Sequence, residues 1–132
     1  EKVLIPMLVS VLEALVERND KFATSPDRTL VTAFHALKAP ACTIGEYVER
    51  IRKYSACSPC CFVTGLIYMD RYMQRNPSFA LSSLSVHRLL LTCVLLSAKF
   101  LDDFYYNNAF WSKVGGVPVH ELNSLELHLL FQ

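Results

Sequence analysis

Apolar side chains recur at helical spacing along the chain, and no segment alternates apolar and polar residues for long enough to predict a strand. In the segment from Ile5 to Asn19, the apolar residues stand three or four positions apart, as on one face of an α-helix. Those residues are Leu8, Leu12, Leu15 and Val16. The pattern predicts an all-α protein.

Helix start residues place the next two helices. Thr43 to Glu46 matches the capping box, which predicts a helix from there to about Tyr54. Ser58 followed by Pro59 is typical of an N-cap and a first helical position, and it predicts a helix that ends near Arg75.

One helix is apolar on nearly all sides. It is predicted to begin at Ser82 or Ser83 and to end near Leu101. A helix without a polar face must be covered by others, so this helix is expected at the centre of a helical bundle. Six or seven helices are expected in total.

Two further helices follow this central one. Asn107 is a suitable N-cap for a short helix through Val114, which the glycine pair 115–116 ends. Pro118 then begins the last helix. Before the bundle, Thr24 to Asp27 could cap a short helix as far as Phe34, so residues 1–40 are interpreted as an N-terminal helix and linker and residues 41–132 as the main bundle.

The composition fits one domain with a substantial core. Apolar residues make up 52% of the 132 residues and charged residues only 19%, which indicates apolar surface for a protein partner. The net charge of +1 argues against binding to nucleic acid or to a membrane surface. The longest nearly apolar run, Leu89 to Ala98, is about half of the roughly 20 residues that span a bilayer. A nuclear or cytoplasmic protein, or both, is expected.

The five cysteines are an odd set, which favours reduced thiols over a disulfide framework. Cys57 and Cys60 form a C-x-x-C spacing, but the strand that precedes such a motif in redox proteins is missing, and no second ligand pair suggests zinc. No nucleophile, base and acid stand in a catalytic pattern. The expectation is a protein without catalysis, metal, cofactor or small-molecule substrate.

Two charges conflict with their apolar surroundings. Glu126 falls within an apolar face of the last helix, formed by Leu122, Leu125, Leu129 and Leu130, and Lys99 closes the central apolar run. A buried isolated charge costs several kcal/mol, so each needs a partner or an interface. Alternatively, the side chain of Lys99 extends to solvent and Glu126 lies at a solvated edge of the helix, in which case neither charge needs a partner.

A third charge, Asp70, stands among aromatic residues in the sequence Tyr68-Met69-Asp70-Arg71-Tyr72. Arg50 in the preceding helix is its candidate partner, and a structural ion pair between helices is favoured over a binding role.

Several segments in the same order resemble a cyclin box, specifically that of the branch containing the yeast phosphate-signalling cyclin, the plant P/U-type cyclins and their protozoan relatives. They are Tyr47-Val48-Glu49-Arg50-Ile51-Arg52-Lys53-Tyr54, Ile67-Tyr68-Met69-Asp70-Arg71-Tyr72, Val86-His87-Arg88-Leu89-Leu90-Leu91, Ser97-Ala98-Lys99-Phe100-Leu101-Asp102-Asp103 and Val114-Gly115-Gly116-Val117 with Glu121-Leu122-Asn123 and Leu125-Glu126 after it. The resemblance covers residue 34 to the end, with the cyclin box itself at 41–132.

The resemblance implies five helices around a central third helix, preceded by an accessory N-terminal helix. It also implies a regulatory subunit that binds and activates a cyclin-dependent kinase, holding the mobile helix that carries the PSTAIRE-type sequence. Lys99 and Glu126 match the charged positions that face the kinase, and Leu96, Phe100, Leu127 and Leu130 match neighbouring apolar contacts. A cyclin places the glutamate of that helix against the active-site lysine of the kinase and helps to order the activation loop.

The sequence departs from cell-cycle cyclins in one respect. The M-R-A-I-L substrate-docking patch is not found at Ala41 to Gly45, so recruitment of R-x-L substrates is not expected. The competing hypothesis is a cyclin-fold interaction adaptor in transcription that activates no kinase. The near-neutral charge argues against DNA, and the presence of both Lys99 and Glu126 at matching positions favours the kinase partner.

Overall fold

The computed structural model describes residues 3–22, 34, 36 and 40–131, and helices are the only regular secondary structure within them. The six helices are α1 (Leu4–Phe22), α2 (Ile44–Ser55), α3 (Cys60–Arg75), α4 (Val86–Leu101), α5 (Asn108–Gly115) and α6 (Val119–Leu130). The prediction of an all-α bundle is confirmed. The short helix expected from residues 24–27 onward lies outside the described residues.

Helix α4 is the centre of the bundle. It packs against α2, α3, α5 and α6, and its side chains are buried on nearly every side, because they have no polar face to present to water. The contact with α3 is the most extensive, since Gly65 lets the two backbones approach: a Cβ there would lie 3.1 Å from Cγ2 of Val94. Helix α1 packs on α2 and buries Leu8 and Leu12, as an accessory helix to the other five.

Three of the five helix starts predicted for α2 to α6 agree with the structure. In the capping box of α2, the Thr43 hydroxyl accepts from the Glu46 amide and the Glu46 carboxylate accepts from the Thr43 amide. Helix α5 begins as expected, because the Asn107 side chain accepts from the Phe110 amide at 3.0 Å. Gly116 ends α5 at a φ of 66°, a left-handed conformation that favours glycine. Pro118 stands immediately before α6.

The starts of α3 and α4 differ from the prediction. The Ser58 hydroxyl does not cap α3 but donates to the carboxylate of Asp102, at the far end of α4. Helix α4 begins at Val86, with Ser85 rather than Ser82 or Ser83 immediately before it. At α3 the reason is a contact with a distant segment, because Asp102 accepts from the hydroxyl group that would otherwise cap the helix. At α4 the Ser82 hydroxyl instead bonds within its own turn, to Leu84 and Ser85.

The expected ion pair of Arg50 and Asp70 is not formed among the described residues. The Asp70 carboxylate accepts a 2.9 Å hydrogen bond from Gln74 on its own helix, and both Arg50 and Asp70 are exposed. The physical reason is the packing of α2, which faces α1, α4 and α5 and leaves Arg50 on the solvent side.

Candidate partner-binding face

The two misplaced charges meet each other. Nζ of Lys99, in the last turn of α4, lies 2.8 Å from Oε2 and 3.0 Å from Oε1 of Glu126 on α6. The side chain of Lys99 is 30% exposed and that of Glu126 only 12%. Each charge therefore supplies the partner that the other needs at this partly buried position.

A third side chain holds Glu126 in place. The amide of Asn108, at the start of α5, donates to Oε1 of Glu126 at 3.0 Å and to Oδ1 of Asn123 at 2.7 Å. The end of α4, the start of α5 and the middle of α6 are thereby joined at one polar cluster. Asn108 was not predicted from the sequence, because nothing in the local pattern distinguishes it from any residue that follows an N-cap.

Large apolar side chains stand exposed beside this cluster. Phe100 is 80% exposed, Leu127 56% and Leu130 59%, whereas Leu96 is half-buried. Leu130 was expected in the buried face of the last helix, together with Leu122 and Leu125. The latter two are buried, whereas Leu130, the last residue of α6, leaves more than half of its surface exposed.

A groove opens between α3, α4 and α6 on the same side of the molecule. Its cavity volume is about 320 Å³. Leu96, Phe100 and Leu130 line it, so the structure brings together three of the four apolar positions proposed from the sequence. Among the described residues, its other lining side chains are Tyr68, Arg71, Tyr72, Arg75 and Leu129.

The C-terminal turn of α4, which carries Lys99 and Phe100, is tied to the start of α3. Asp102 accepts a 3.1 Å hydrogen bond from the Ser58 amide and a second bond from the Ser58 hydroxyl. The Cys61 thiol donates to the same carboxylate at 3.5 Å. Partial burial would raise the pKa of Asp102, but the hydrogen bonds from Ser58 outweigh it and hold the pKa below its usual value. The tie keeps the end of α4 in a fixed position.

The cysteines are unpaired, and four of them are buried or partly buried. All five have free thiols, and burial raises the pKa of Cys57, Cys61 and Cys93, which disfavours the reactive thiolate form. Within the described part of the chain, no three metal-binding side chains cluster as a metal site would require. None of the described helices has the length and apolar character needed to cross a membrane.

Comparison with known proteins gives one consistent result. The family profile described as Cyclin matches residues 4–132. The chain is 51% identical over 131 residues to Cyclin-U4-1 of Arabidopsis thaliana, covering 97% of this chain and 64% of that relative. It is 50% identical to Cyclin-P3-1 of Oryza sativa subsp. japonica over 131 residues, covering 98% of this chain and 55% of the relative. Cyclin-P4-1 of the same species is 44% identical over 131 residues, covering 96% of this chain and 62% of the relative. The chain thus spans less than two thirds of the length of these curated relatives.

Proposed function

The chain belongs to the cyclin family, and we propose that it binds and activates a cyclin-dependent protein kinase of the PSTAIRE type. A regulatory role follows from the similarity to U-type and P-type cyclins. The kinase partner, its activation and the residues that contact it are the proposed part. In this proposal the cyclin supplies binding energy and the kinase supplies all of the chemistry.

The observation that carries the proposal is the exposed apolar surface beside the Lys99–Glu126 pair. Phe100 on α4 and Leu130 on α6 leave most of their surface in water, so their apolar character contributes little to the stability of the free domain. Large side chains of this kind are typical anchors of a protein interface, where burial of their surface drives association. Leu127 extends the same surface along α6.

The charged pair gives this surface a defined orientation. Lys99 and Glu126 already neutralise each other, so a partner need not remove two separate charges from water. The lysine has a further N–H donor and the carboxylate has further lone pairs that a kinase helix could use. We therefore infer that the charged pair sets how the kinase helix is aligned on this face and which partner is accepted. The apolar side chains supply most of the affinity.

Activation of the kinase would be allosteric, through the position of its mobile helix. Docking on the mobile kinase helix would stabilise the position in which its glutamate pairs with the active-site lysine. The cyclin shifts the kinase towards its active arrangement only to the extent that it binds that arrangement more tightly than the inactive one.

The test is a pull-down with a purified PSTAIRE-type kinase, followed by a phosphorylation assay. Phe100→Ala should weaken binding by on the order of tenfold or more, as truncation of an interface anchor does. Tyr54→Ala is the matched control, since Tyr54 is an aromatic residue on α2 that is 52% exposed and does not line the groove. It should bind as the wild type does.

The same assay decides between activation and an adaptor role. Stimulation of the kinase by the wild type, reduced by Phe100→Ala in proportion to binding, supports the proposal. Binding without stimulation would favour the adaptor. Equal binding by wild type and Phe100→Ala would contradict the assignment of this face. Changing Cys57 and Cys60 to serine should leave activation intact.

A further inference from the structure

The groove between α3, α4 and α6 carries charge of one sign. Among the described residues that line it, the only charged side chains are Arg71 and Arg75, which stand one helical turn apart on α3. No carboxylate is among those lining residues. The floor and the opposite wall are aromatic and aliphatic.

Asp70, Lys99 and Glu126 stand on the same three helices but do not line the groove. Lys99 and Glu126 pair with each other at 2.8 Å and therefore contribute little net field. Asp70, the acidic residue next to Arg71 in sequence, accepts a hydrogen bond from Gln74 at 2.9 Å. The charged side chains that line the groove itself are therefore both positive, and both stand on α3.

Arg71 and Arg75 differ in what they contact. Arg75 is engaged in an interaction within the chain, whereas Arg71 has neither an ion pair nor a hydrogen bond to any described residue. Arg71 is also exposed, so its guanidinium is available to a partner. A guanidinium recognises a carboxylate through two parallel hydrogen bonds, which gives the contact direction as well as attraction.

We propose that Arg71 is a partner-selecting residue, which pairs with a carboxylate that the kinase carries beside the apolar side chain seated in the groove. The inference rests on the proposed kinase binding and adds a charge requirement to it. Kinases with an acidic side chain at that place are preferred, and kinases with a basic one are rejected, because like charges placed together at an interface are strongly unfavourable.

The apolar groove strengthens such a pair. When the partner covers Phe100 and Leu130, water is excluded from one side of Arg71, and the attraction is screened less than between fully exposed charges. Part of the attraction acts before contact, so it raises the association rate and makes it depend on salt.

The experiment measures the affinity and association rate of the PSTAIRE-type kinase used in the pull-down, at low and at high salt. The variants are Arg71→Gln and Arg71→Glu, with Arg50→Glu as the control, because Arg50 is an exposed arginine on α2 outside the groove. Arg71→Glu should weaken binding by on the order of tenfold and Arg71→Gln by less. Both should reduce the salt dependence of the association rate, and Arg50→Glu should change neither quantity.

A charge exchange identifies the pairing. The kinase segment covered by the cyclin is first located by its protection from hydrogen exchange in the complex. Each carboxylate residue of that segment is then changed in turn to arginine, and its binding to Arg71→Glu is measured. One of these kinase variants should restore at least half of the lost affinity with Arg71→Glu and bind the wild-type cyclin poorly.

The outcomes separate this inference from the proposed function. Wild-type binding that Arg71→Glu leaves unchanged overturns the inference and leaves kinase binding intact. Equal weakening by Arg71→Glu and Arg50→Glu, or rescue by none of the kinase variants, also overturns it. Absence of wild-type binding overturns both. Thermal melting of each free variant, expected within one degree of the wild type, shows that the exposed substitutions act on binding rather than on folding.

Discussion

The phenol oxygen of Tyr47 lies 2.6 Å from the carbonyl oxygen of Gly115 and donates a hydrogen bond to it. Tyr47 belongs to α2 and Gly115 is the last residue of α5, so the bond joins helices 68 positions apart in sequence. Burial raises the pKa of Tyr47 above its usual value, which keeps the phenol protonated as the donor. The close approach depends on the missing side chain of Gly115.

Gly115→Ala is expected to destabilise the domain by about 3 kcal/mol, at the upper end of the cost of overpacking. An added Cβ would lie 2.2 Å from Cδ2 of Leu91 and 2.8 Å from the Tyr47 hydroxyl. Gly116→Ala is the control. It meets nothing within 4 Å and should cost only the left-handed strain, about 1 kcal/mol. Urea unfolding measures both.

A double substitution checks the cause of this loss. Leu91→Ala removes the clashing methyl groups, so the free-energy loss of Gly115→Ala should be smaller in the Leu91→Ala background than in the wild type. Equal losses in the two backgrounds would contradict the packing explanation.

Lys99→Met should destabilise the free domain by about 1–2 kcal/mol, because it leaves the carboxylate of Glu126 without its cation at a position only 12% exposed. Glu126→Leu alone should cost a similar amount, since it leaves Lys99 and Asn108 without their acceptor. In the double variant Lys99→Met/Glu126→Leu, the free energy of unfolding should fall by much less than the sum of the two single decreases. Additive losses would mean that the pair contributes nothing to folding.

Acid should weaken the tie between Asp102 and Ser58. The folded pKa of Asp102 is below its ordinary value, so its contribution to stability is complete above about pH 4 and is lost as the pH falls through the folded pKa. Melting temperatures from pH 6 to pH 2.5 should therefore fall less steeply for Asp102→Asn than for the wild type. Asp103→Asn, at the exposed neighbouring position, should retain the wild-type slope. Identical slopes for all three proteins would exclude this role.

His87 should make the domain less stable at mildly acidic pH. Its Nε2 lies 2.8 Å from the Cys42 carbonyl oxygen, whereas Nδ1 is buried with no hydrogen-bond partner in the described part of the chain. Burial lowers the pKa of His87 more than the bond to Cys42 raises it. The unfolded histidine takes up a proton near pH 6.5 and the folded one only at lower pH, so stability is lost as the pH falls from about 6.5 towards the folded pKa.

His87→Gln keeps a donor for the Cys42 carbonyl and removes the titration. Between pH 7.5 and pH 5.5, its free energy of unfolding should fall less than that of the wild type. His120→Gln, on the exposed surface of α6, serves as the control. An equal fall in wild type and His87→Gln would show that other groups dominate this pH range.

Features governed by neighbouring residues were predictable from the sequence. The capping box at Thr43, the N-cap at Asn107 and the helix end at Gly116 all depend on backbone groups within four residues of the side chain concerned. The central position of α4 was predictable for a related reason: a helix with apolar residues on all sides can be stable in water only when other helices cover it. Lys99 and Glu126 were recognisable as exceptions to that apolar pattern.

Features governed by distant residues were not predictable. The sequence could not show that Ser58 bonds to Asp102, that Asn108 holds Glu126 or that Arg50 faces solvent, because each depends on how two helices are rotated against each other. Periodicity defines the apolar side of a helix and says nothing of which helix covers it. It also left open whether Lys99 and Glu126 extend to solvent or need an interface.

The sequence by itself therefore determined the helices, their order and the misplaced charges, since these follow from local hydrogen bonding and from the energy of burial. Only the tertiary structure decided that Lys99 and Glu126 satisfy each other and that Leu130 joins Phe100 on an exposed face. The same packing brought Arg71 to the edge of the groove between α3, α4 and α6. The reason is geometric: distances between side chains on separate helices are set by packing of the whole core.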